Sequence, residues 1–342
     1  MTPDAERPVS LRDVAAAAGV APMTVSRVLN VPERVSAAKV QRVRAAIELL
    51  GYVPNLNAGG LSSRRTRMVA MIVPTMAHPM FFDLVQNFTD ALRARGYEVM
   101  LYLSGYGVTS EARLVHAVLG RRPDALLLTG TAHDAPTRKM LTSTTIPVVE
   151  IFDVTDHPVD MLVGVDHAAV GTAVAAYFRA RGFARFAVFA ASDPRARMRG
   201  SAFAAAARRD GGTVLAETVI PAPSTIGAGR TALRGLLPHL TETGAQAGAS
   251  DRVALFCSSD LVAFGALTEA RAHGVTVPDR LAICGFGDFE LSAMCDPPFT
   301  TVSIEGARVG QHAATFVLDR LGGMAGERRV EVPFHIVERA TS

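Results

Sequence analysis

The sequence predicts a small all-α domain followed by an α/β core of two doubly wound lobes. Three observations carry that prediction. Residues 9–55 place apolar side chains at helical spacing between glycines, positive charge gathers over the first 67 residues, and from Met68 onward short apolar runs alternate with helical stretches in two similar series. The 342 residues, 49% hydrophobic and 20% charged, exceed one ordinary domain and exclude a disordered chain. The start MTPDAERPVSLRD has no apolar stretch behind a basic one, and no later apolar run reaches the length of a membrane span, so a soluble, cytoplasmic protein without a membrane partner is expected. Cys257, Cys284 and Cys295 fit neither zinc nor redox spacing and read as buried thiols; no metal or cofactor is expected.

The first helix follows from Leu11, Val14, Ala15 and Ala18, with Ser10 and Asp13 as its capping pair and Gly19 as its stop. After the turn through Val20 and Ala21, Pro22 suits the first position of a second helix whose stripe is Val25, Val28 and Leu29. A third begins at Ser36, turns Val40, Val43, Ile47 and Leu50 inward, and stops at Gly51. Two short helices joined through a glycine turn and braced by a third make a helix-turn-helix. The polar face of the second carries Met23, Thr24, Ser26, Arg27 and Asn30, types that suit a major groove: Arg27 for guanine or phosphate, Met23 and Pro22 against a thymine methyl, Thr24 and Ser26 for phosphates. Ten Lys/Arg against five acids give residues 1–67 a net charge of +5 within a total of +3, leaving −2 for the rest, as a polyanion partner requires. An ordinary three-helix bundle with a solvated basic face stays open on these grounds alone.

The run VSLRDVAAAAGVAPMTVSRVLNVPERVSAAKVQRVRAAIELLGYVPN resembles the DNA-binding headpiece of the lactose-repressor (LacI/GalR) family, above all in DVA, AGV, TVSRVLN and LGYVPN. Within that family, PMTVSRVLN, IPVVEIFD and VGVDHAAVG are most similar to the gluconate-utilisation repressor type. The resemblance implies base contacts from Pro22, Met23 and Arg27, helix positioning by Thr24, Ser26 and Asn30, and Tyr52 and Asn55 near the DNA backbone. It makes residues 56–67 a linker in which a hinge helix forms on operator binding, with Leu61 wedged into the minor groove. Packing of Leu61 on the core, and a solubilising role for Arg64, Arg65 and Arg67, are the alternatives to DNA contact. Two departures matter. Ala21 stands where the family has a capping serine, a loss of roughly 0.5 to 2 kcal/mol, and Gly59 and Gly60 each cost the hinge about 1 kcal/mol of helix propensity.

In the core, MVAMIVP, YEVMLYL, DALLLT and PVVEIF read as buried parallel strands with crossover helices between them. A second series runs MLVGVD, RFAVFAA, TVLAETVI, RVALFC and LAICGFG, and ALRARGYEV in the first series parallels YFRARGFARF in the second. The resemblance implies a periplasmic-binding-protein-like fold crossed three times by the chain, near Val165, Glu305 and Gly322. Lobe one then holds about 68–165 and 305–322, and lobe two about 166–304 and 323–342, so that RRVEVPFHIVE falls in the second. A single large Rossmann-type domain is the alternative.

Ligands of such lobes bind at the carboxyl ends of strands, so the cleft is the expected effector site. His78 and Phe81 follow the first strand, with Phe82 beside them; Glu150 and Asp153 close the last strand of lobe one; Arg197 follows AVFAAS, Ser259 follows ALFC, and Asp288 follows ICGFG. Carboxylates and a guanidinium bind vicinal hydroxyls while an aromatic face covers apolar carbon. By resemblance Arg197 is the ligand-binding arginine and Asp153 the acid of lobe one, while Arg195 and Arg199 read as solvated residues at a helix start. Asp166, His167 and Asp260 are weighed as structural bonds or caps, as is Glu150, and either phenylalanine as core. Ser259 replaces the family's asparagine and Gly287-Asp288 its aspartate, which together with three nearby arginines favours a sugar acid such as gluconate over a neutral sugar.

The expectation is a repressor, a homodimer on pseudo-palindromic double-stranded operator DNA whose effector alters lobe angle and headpiece spacing. No heptad repeat follows HIVERATS, so a dimer is expected rather than a tetramer. An enzyme is not expected: G-x-S-x-G, P-loop and H-E-x-x-H motifs are absent, and GAGRTA and GFGDFE lack a full dinucleotide fingerprint. A solute receptor without a regulatory role is the other alternative, against which stands the basic headpiece.

Overall fold

The structure, a computed structural model, describes residues 7–54, 65–106, 108–241 and 251–342. Asn55 and Leu61, like Gly59, Gly60 and Arg64, lie outside the described residues. The chain divides into two compact units, Met1–Thr66 and Arg67–Ser342.

The first unit holds α1 (Leu11–Ala18), α2 (Pro22–Asn30), a 3-10 turn at Pro32–Arg34, and α3 (Ala37–Leu50). The Asp13 carboxylate accepts the backbone N–H of Ser10 at 2.8 Å and its hydroxyl at 2.6 Å, fixing the start of α1. Gly19, at φ 61°, turns its N–H back onto the carbonyls of Ala15 and Ala16 and ends that helix in the left-handed conformation a glycine adopts freely. Ala21 makes no side-chain capping bond and Pro22 fills the first helical position, in keeping with the capping loss read from the sequence. Val14, Ala15, Ala18, Val25, Val28, Val43 and Ala46 form the buried core, against which Leu29, Ile47 and Tyr52 pack.

In the second unit, β1 (Met68–Val73), β2 (Glu98–Leu103), β3 (Ala125–Thr129), β4 (Val148–Ile151), β5 (Met161–Gly164) and β11 (Arg328–Glu331) form one parallel sheet in the order β11-β5-β4-β3-β1-β2. Alternate residues of β1 enter two different cores: Val69, Met71 and Val73 face one side, Ala70 and Ile72 the other. Burial on both faces is why this strand reads as a continuous apolar run. Helices α4 (Met80–Arg93), α5 (Val108–Gly120), α6 (Ala135–Ser143) and α12 (Gly306–Leu321) belong to this lobe. The second lobe is a parallel sheet of β6 (Arg185–Ala191), β7 (Thr213–Ile220), β8 (Val253–Cys257) and β9 (Leu281–Cys284) in the order β7-β6-β8-β9. It is covered by α7 (His167–Ala180), α8 (Pro194–Arg209), α9 (Ile226–Thr241) and α10 (Asp260–Ala272), with the short α11 at Glu290–Met294. Strands β10 (Thr301–Ser303) and β12 (His335–Val337) pair antiparallel where the chain passes between lobes.

Two placements correct the sequence reading. Met161–Gly164, which the apolar pattern groups with the second series although the lobe-one bound near Val165 includes it, is β5 of the first sheet, paired with β4. Arg328–Glu331, assigned to lobe two, is the edge strand beside β5, so the last crossing falls between Glu331 and His335 rather than near Gly322. Both segments are only four residues long, and a run that short fixes strand character without fixing which sheet receives it. Among the described residues no helix is long and apolar enough to cross a membrane.

Candidate functional site

On α2, alternating burial separates two faces. Val25 and Val28 are buried, whereas Pro22, Met23, Arg27 and Asn30 are exposed and Thr24 and Ser26 half-exposed; Met23, a large apolar side chain, is 64% exposed. Asn30 is partly committed within its own helix, where its amide donates to the Ser26 carbonyl at 2.8 Å. Tyr52 is half-buried against the helical core, so much of its ring serves packing. Arg67 is drawn to lobe one: its backbone N–H donates to Asp124 and its guanidinium lies 5.2 Å from the Tyr97 ring centre.

Between the two lobes lies a cavity lined by residues at or just beyond the carboxyl ends of the strands. Lobe one contributes His78, Phe81, Tyr106 and Phe152; lobe two contributes Asp193, Arg195, Arg199, Ser259 and Phe286. Phe81 and Phe152 meet edge to face with ring centres 5.8 Å apart and form an apolar floor. Phe152 adopts φ 66°, a left-handed conformation strained for a bulky residue, and so aims its carbonyl at His167.

Arg199 organises the other wall. It is 5% exposed, lies 3.7 Å over the Phe286 ring, and donates to His167 Nδ1 and to the Ser258 carbonyl, each at 2.9 Å. Because a guanidinium only donates, Nδ1 of His167 is an acceptor and its Nε2–H donates to the Phe152 carbonyl at 2.7 Å. Burial, reinforced by Arg199, accordingly holds the His167 pKa well below its usual value. The bonded partners of Arg199 are neutral, and its Nε is buried without a hydrogen-bond partner. Burial lowers its pKa to about 10, so it stays cationic at neutral pH. The close crossing of α7 and α8 seats it: a Cβ on Gly171 would lie 2.1 Å from the Arg199 carbonyl oxygen.

Asp153 of lobe one approaches Arg195 of lobe two at 4.0 Å, an ion pair across the cleft. Burial raises the Asp153 pKa against the opposing pull of Arg195. The same effect lowers His78, which presents a neutral imidazole, and pushes Tyr106 up to about 12. Ser259 lines the cavity and also caps α10, with its hydroxyl 3.1 Å from that of Ser224.

Three expected effector residues stand elsewhere. Arg197 is exposed and does not line this cavity, while Arg195 and Arg199 do the facing. On a helix, residues four apart share a face and a residue two away points about 200° round, so one cleft cannot take 197 with 195 and 199. Asp288 is engaged by Arg339 at 2.7 Å and is absent from the cavity wall. Glu150 is fully buried behind the wall, bonded to His133 and to the N–H of Val159. Phe82 is exposed, Asp166 caps α7 through Ala169, and Asp260 is buried between Thr301 and Phe289. Tyr106, Asp193, Phe286 and Ser258 were not anticipated, although each follows a strand that the sequence marks clearly.

Comparison with known proteins agrees with this architecture. The model of bacterial regulatory proteins of the lacI family matches residues 10–55, and that of the periplasmic binding protein-like domain matches residues 175–342. The HTH-type transcriptional regulator GntR of Pseudomonas aeruginosa is 31% identical over 339 residues, covering 97% of this chain and 95% of the relative. A LacI family transcriptional regulator from Silicibacter pomeroyi superposes with a TM-score of 0.89 at 29% identity, covering 98% of this chain and 99% of the other. The transcription regulator GntR from Chromobacterium violaceum does so with a TM-score of 0.71 at 31% identity, over 80% of this chain and 99% of its own. With a helix-turn-helix in its first unit and a cleft between two parallel-sheet lobes in its second, the chain belongs to the LacI family of bacterial regulatory proteins and is a ligand-responsive, DNA-binding transcriptional regulator, not an enzyme.

Proposed function

We propose that this chain is a cytoplasmic repressor of sugar-acid catabolism genes, a homodimer that reads operator half-sites with α2 and senses an aldonate such as gluconate in the cleft. The observation that carries the effector assignment is Arg199. Arg199 lines the cleft as a cation whose hydrogen bonds go only to neutral groups, with Asp193 and Asp153 acting on it without a bonded ion pair, and a ligand carboxylate in the cleft supplies the charge-assisted contact it lacks. Phe81 and Phe152 offer an apolar face to the carbon chain, and His78, Asp153 and Ser259 offer polar atoms to hydroxyls. The similarity to regulators named GntR points the same way. The Asp153–Arg195 pair joins the lobes, so a ligand seated against it favours one lobe angle, and regulation requires the two angles to differ in affinity for DNA. On α2, Pro22, Met23, Thr24, Ser26 and Arg27 are the proposed DNA-facing set.

A thermal-shift screen tests the effector: gluconate, keto-gluconates and 6-phosphogluconate should raise Tm at concentrations where glucose and purines do not. Shifts from neutral pentoses or purines alone would reject the assignment. For the DNA face, Arg27→Ala should weaken operator binding by about 1 to 3 kcal/mol and relax base preference. An unchanged footprint would refute its role.

A further inference from the structure

Beside the cleft cavity lies a second, more open one, which shares Tyr106 and Arg195 with the first; Ser104, Glu111, Thr129 and Asp153 are among its walls. Both carboxylate oxygens of Glu111, on α5, lie 3.1 and 3.2 Å from Nδ1 of His133. The other ring nitrogen of His133 is 3.2 Å from Glu150, whose second oxygen accepts the N–H of Val159 at 2.5 Å. The side chains of Glu150 and His133 are 0% and 1% exposed and that of Glu111 is 17% exposed, so the three charged groups run from the core of lobe one to the cavity wall.

Burial alone would favour a neutral imidazole, but the two flanking carboxylates outweigh it and push the His133 pKa up to about 9. His133 is then an imidazolium at neutral pH with both nitrogens donating, and the triad carries one net negative charge. Taking three charged groups out of water is a poor route to stability compared with apolar packing. What the triad does supply is a carboxylate held in one orientation where it meets the cavity. A fixed acceptor loses little conformational freedom when a hydroxyl donates to it. Asp153 on the same wall is a second acid against the one arginine, Arg195, that the two cavities share, whereas the first cavity adds Arg199 to Arg195 against Asp193 alone, so the anionic end of a ligand is favoured there and disfavoured here.

We propose that Glu111, oriented by His133 and Glu150, is a specificity-determining residue: it accepts hydrogen bonds from the hydroxyls of a polyhydroxylated ligand whose anionic end lies at Arg199. The proposal rests on the sugar-acid reading above and adds the direction in which the ligand lies. Glu111 touches the ligand, and His133 is a positioning residue.

Calorimetry on the full chain with three probes tests it: gluconate, hexanoate (a carboxylate without hydroxyls) and glucitol (hydroxyls without a carboxylate). Glu111→Gln should weaken gluconate about 10-fold or more, the equivalent of one charge-assisted bond, and leave hexanoate within about 2-fold. His133→Gln should lower the gluconate-to-hexanoate ratio in the same direction, whereas a merely structural defect lowers both affinities together; if that variant fails to fold, the Glu111→Gln ratio decides. Gluconate affinity unchanged in Glu111→Gln, or both probes falling equally, would overturn the proposal. Wild-type protein that binds glucitol but neither acid would sink the sugar-acid reading, and Glu111 would then stand only if Glu111→Gln weakens glucitol. Binding of neither hydroxylated probe overturns both.

Discussion

Replacing Arg199 by methionine should separate ligand binding from stability. In the unliganded protein two effects oppose each other. Burial holds the guanidinium pKa at about 10, which corresponds to about 3 kcal/mol against the charged form, and methionine relieves that. The same change leaves His167 Nδ1 and the Ser258 carbonyl without their donor, at about 1 to 3 kcal/mol each. The net change should lie between a gain of about 1 kcal/mol and a loss of about 3 kcal/mol, a Tm fall of no more than about 6 to 12 °C. Binding has no such offset, because loss of the charge-assisted contact at about 1.5 to 3 kcal/mol raises Kd by about 10- to 150-fold. With gluconate at 100 times the wild-type Kd, wild type gains about 2.7 kcal/mol of stability, whereas a variant weakened 100-fold gains about 0.4 kcal/mol. Differential scanning fluorimetry with and without gluconate reads both quantities. A variant that keeps the full gluconate shift, or whose unliganded Tm falls by more than about 15 °C, would show the arginine to be a structural strut and refute the assignment.

Three further predictions concern the supporting structure. His133 is raised above its unfolded pKa, so its contribution, up to about 3 kcal/mol, is fully present below about pH 6.5 and is lost as pH rises through about 9; urea titrations of wild type and His133→Gln should converge over that interval, and a constant difference would count against the imidazolium. Gly171→Ala puts a Cβ 2.1 Å from the Arg199 carbonyl and should cost about 1 to 3 kcal/mol and weaken gluconate binding as the two helices part; an unaltered melt and affinity would contradict the close crossing. Ala21 has the extended φ and ψ of −70° and 148° that an N-cap needs, so Ala21→Ser should stabilise α2 by about 0.5 to 2 kcal/mol, read as slower hydrogen exchange at Thr24 and Val25; unchanged exchange would contradict the capping argument.

The helical unit was legible because its signals are local. Glycine stops, the Ser10–Asp13 pair and the Val25/Val28 stripe each act within one or two turns, and the structure places them where spacing puts them. The core was legible in kind but not in full assignment. β5 and β11 are four-residue strands whose partners are fixed by chain crossings that no local pattern encodes. The cavity walls divide in the same way: strand ends put His78, Phe81, Asp153 and Ser259 on them, while Arg197 points away because its place on α8 depends on helical phase. Helical phase, applied from Pro194, would have favoured Arg195 and Arg199. Asp288 and Glu150 were lost to partners distant in sequence, Arg339 and His133, which composition does not reveal.

The lobe-one strand β11 is reached only after the chain has built nearly all of lobe two, and β12 then returns to pair with β10. Neither lobe is therefore a contiguous stretch of gene. A single recombination cut inside residues 67–342 leaves at least one lobe with parts from two parents, and their interlocking surfaces must be matched afresh. A cut before residue 67 divides no sheet. The front segment and the core can thus be exchanged whole, one for another, whereas reshuffling parts within the core has to rematch a lobe.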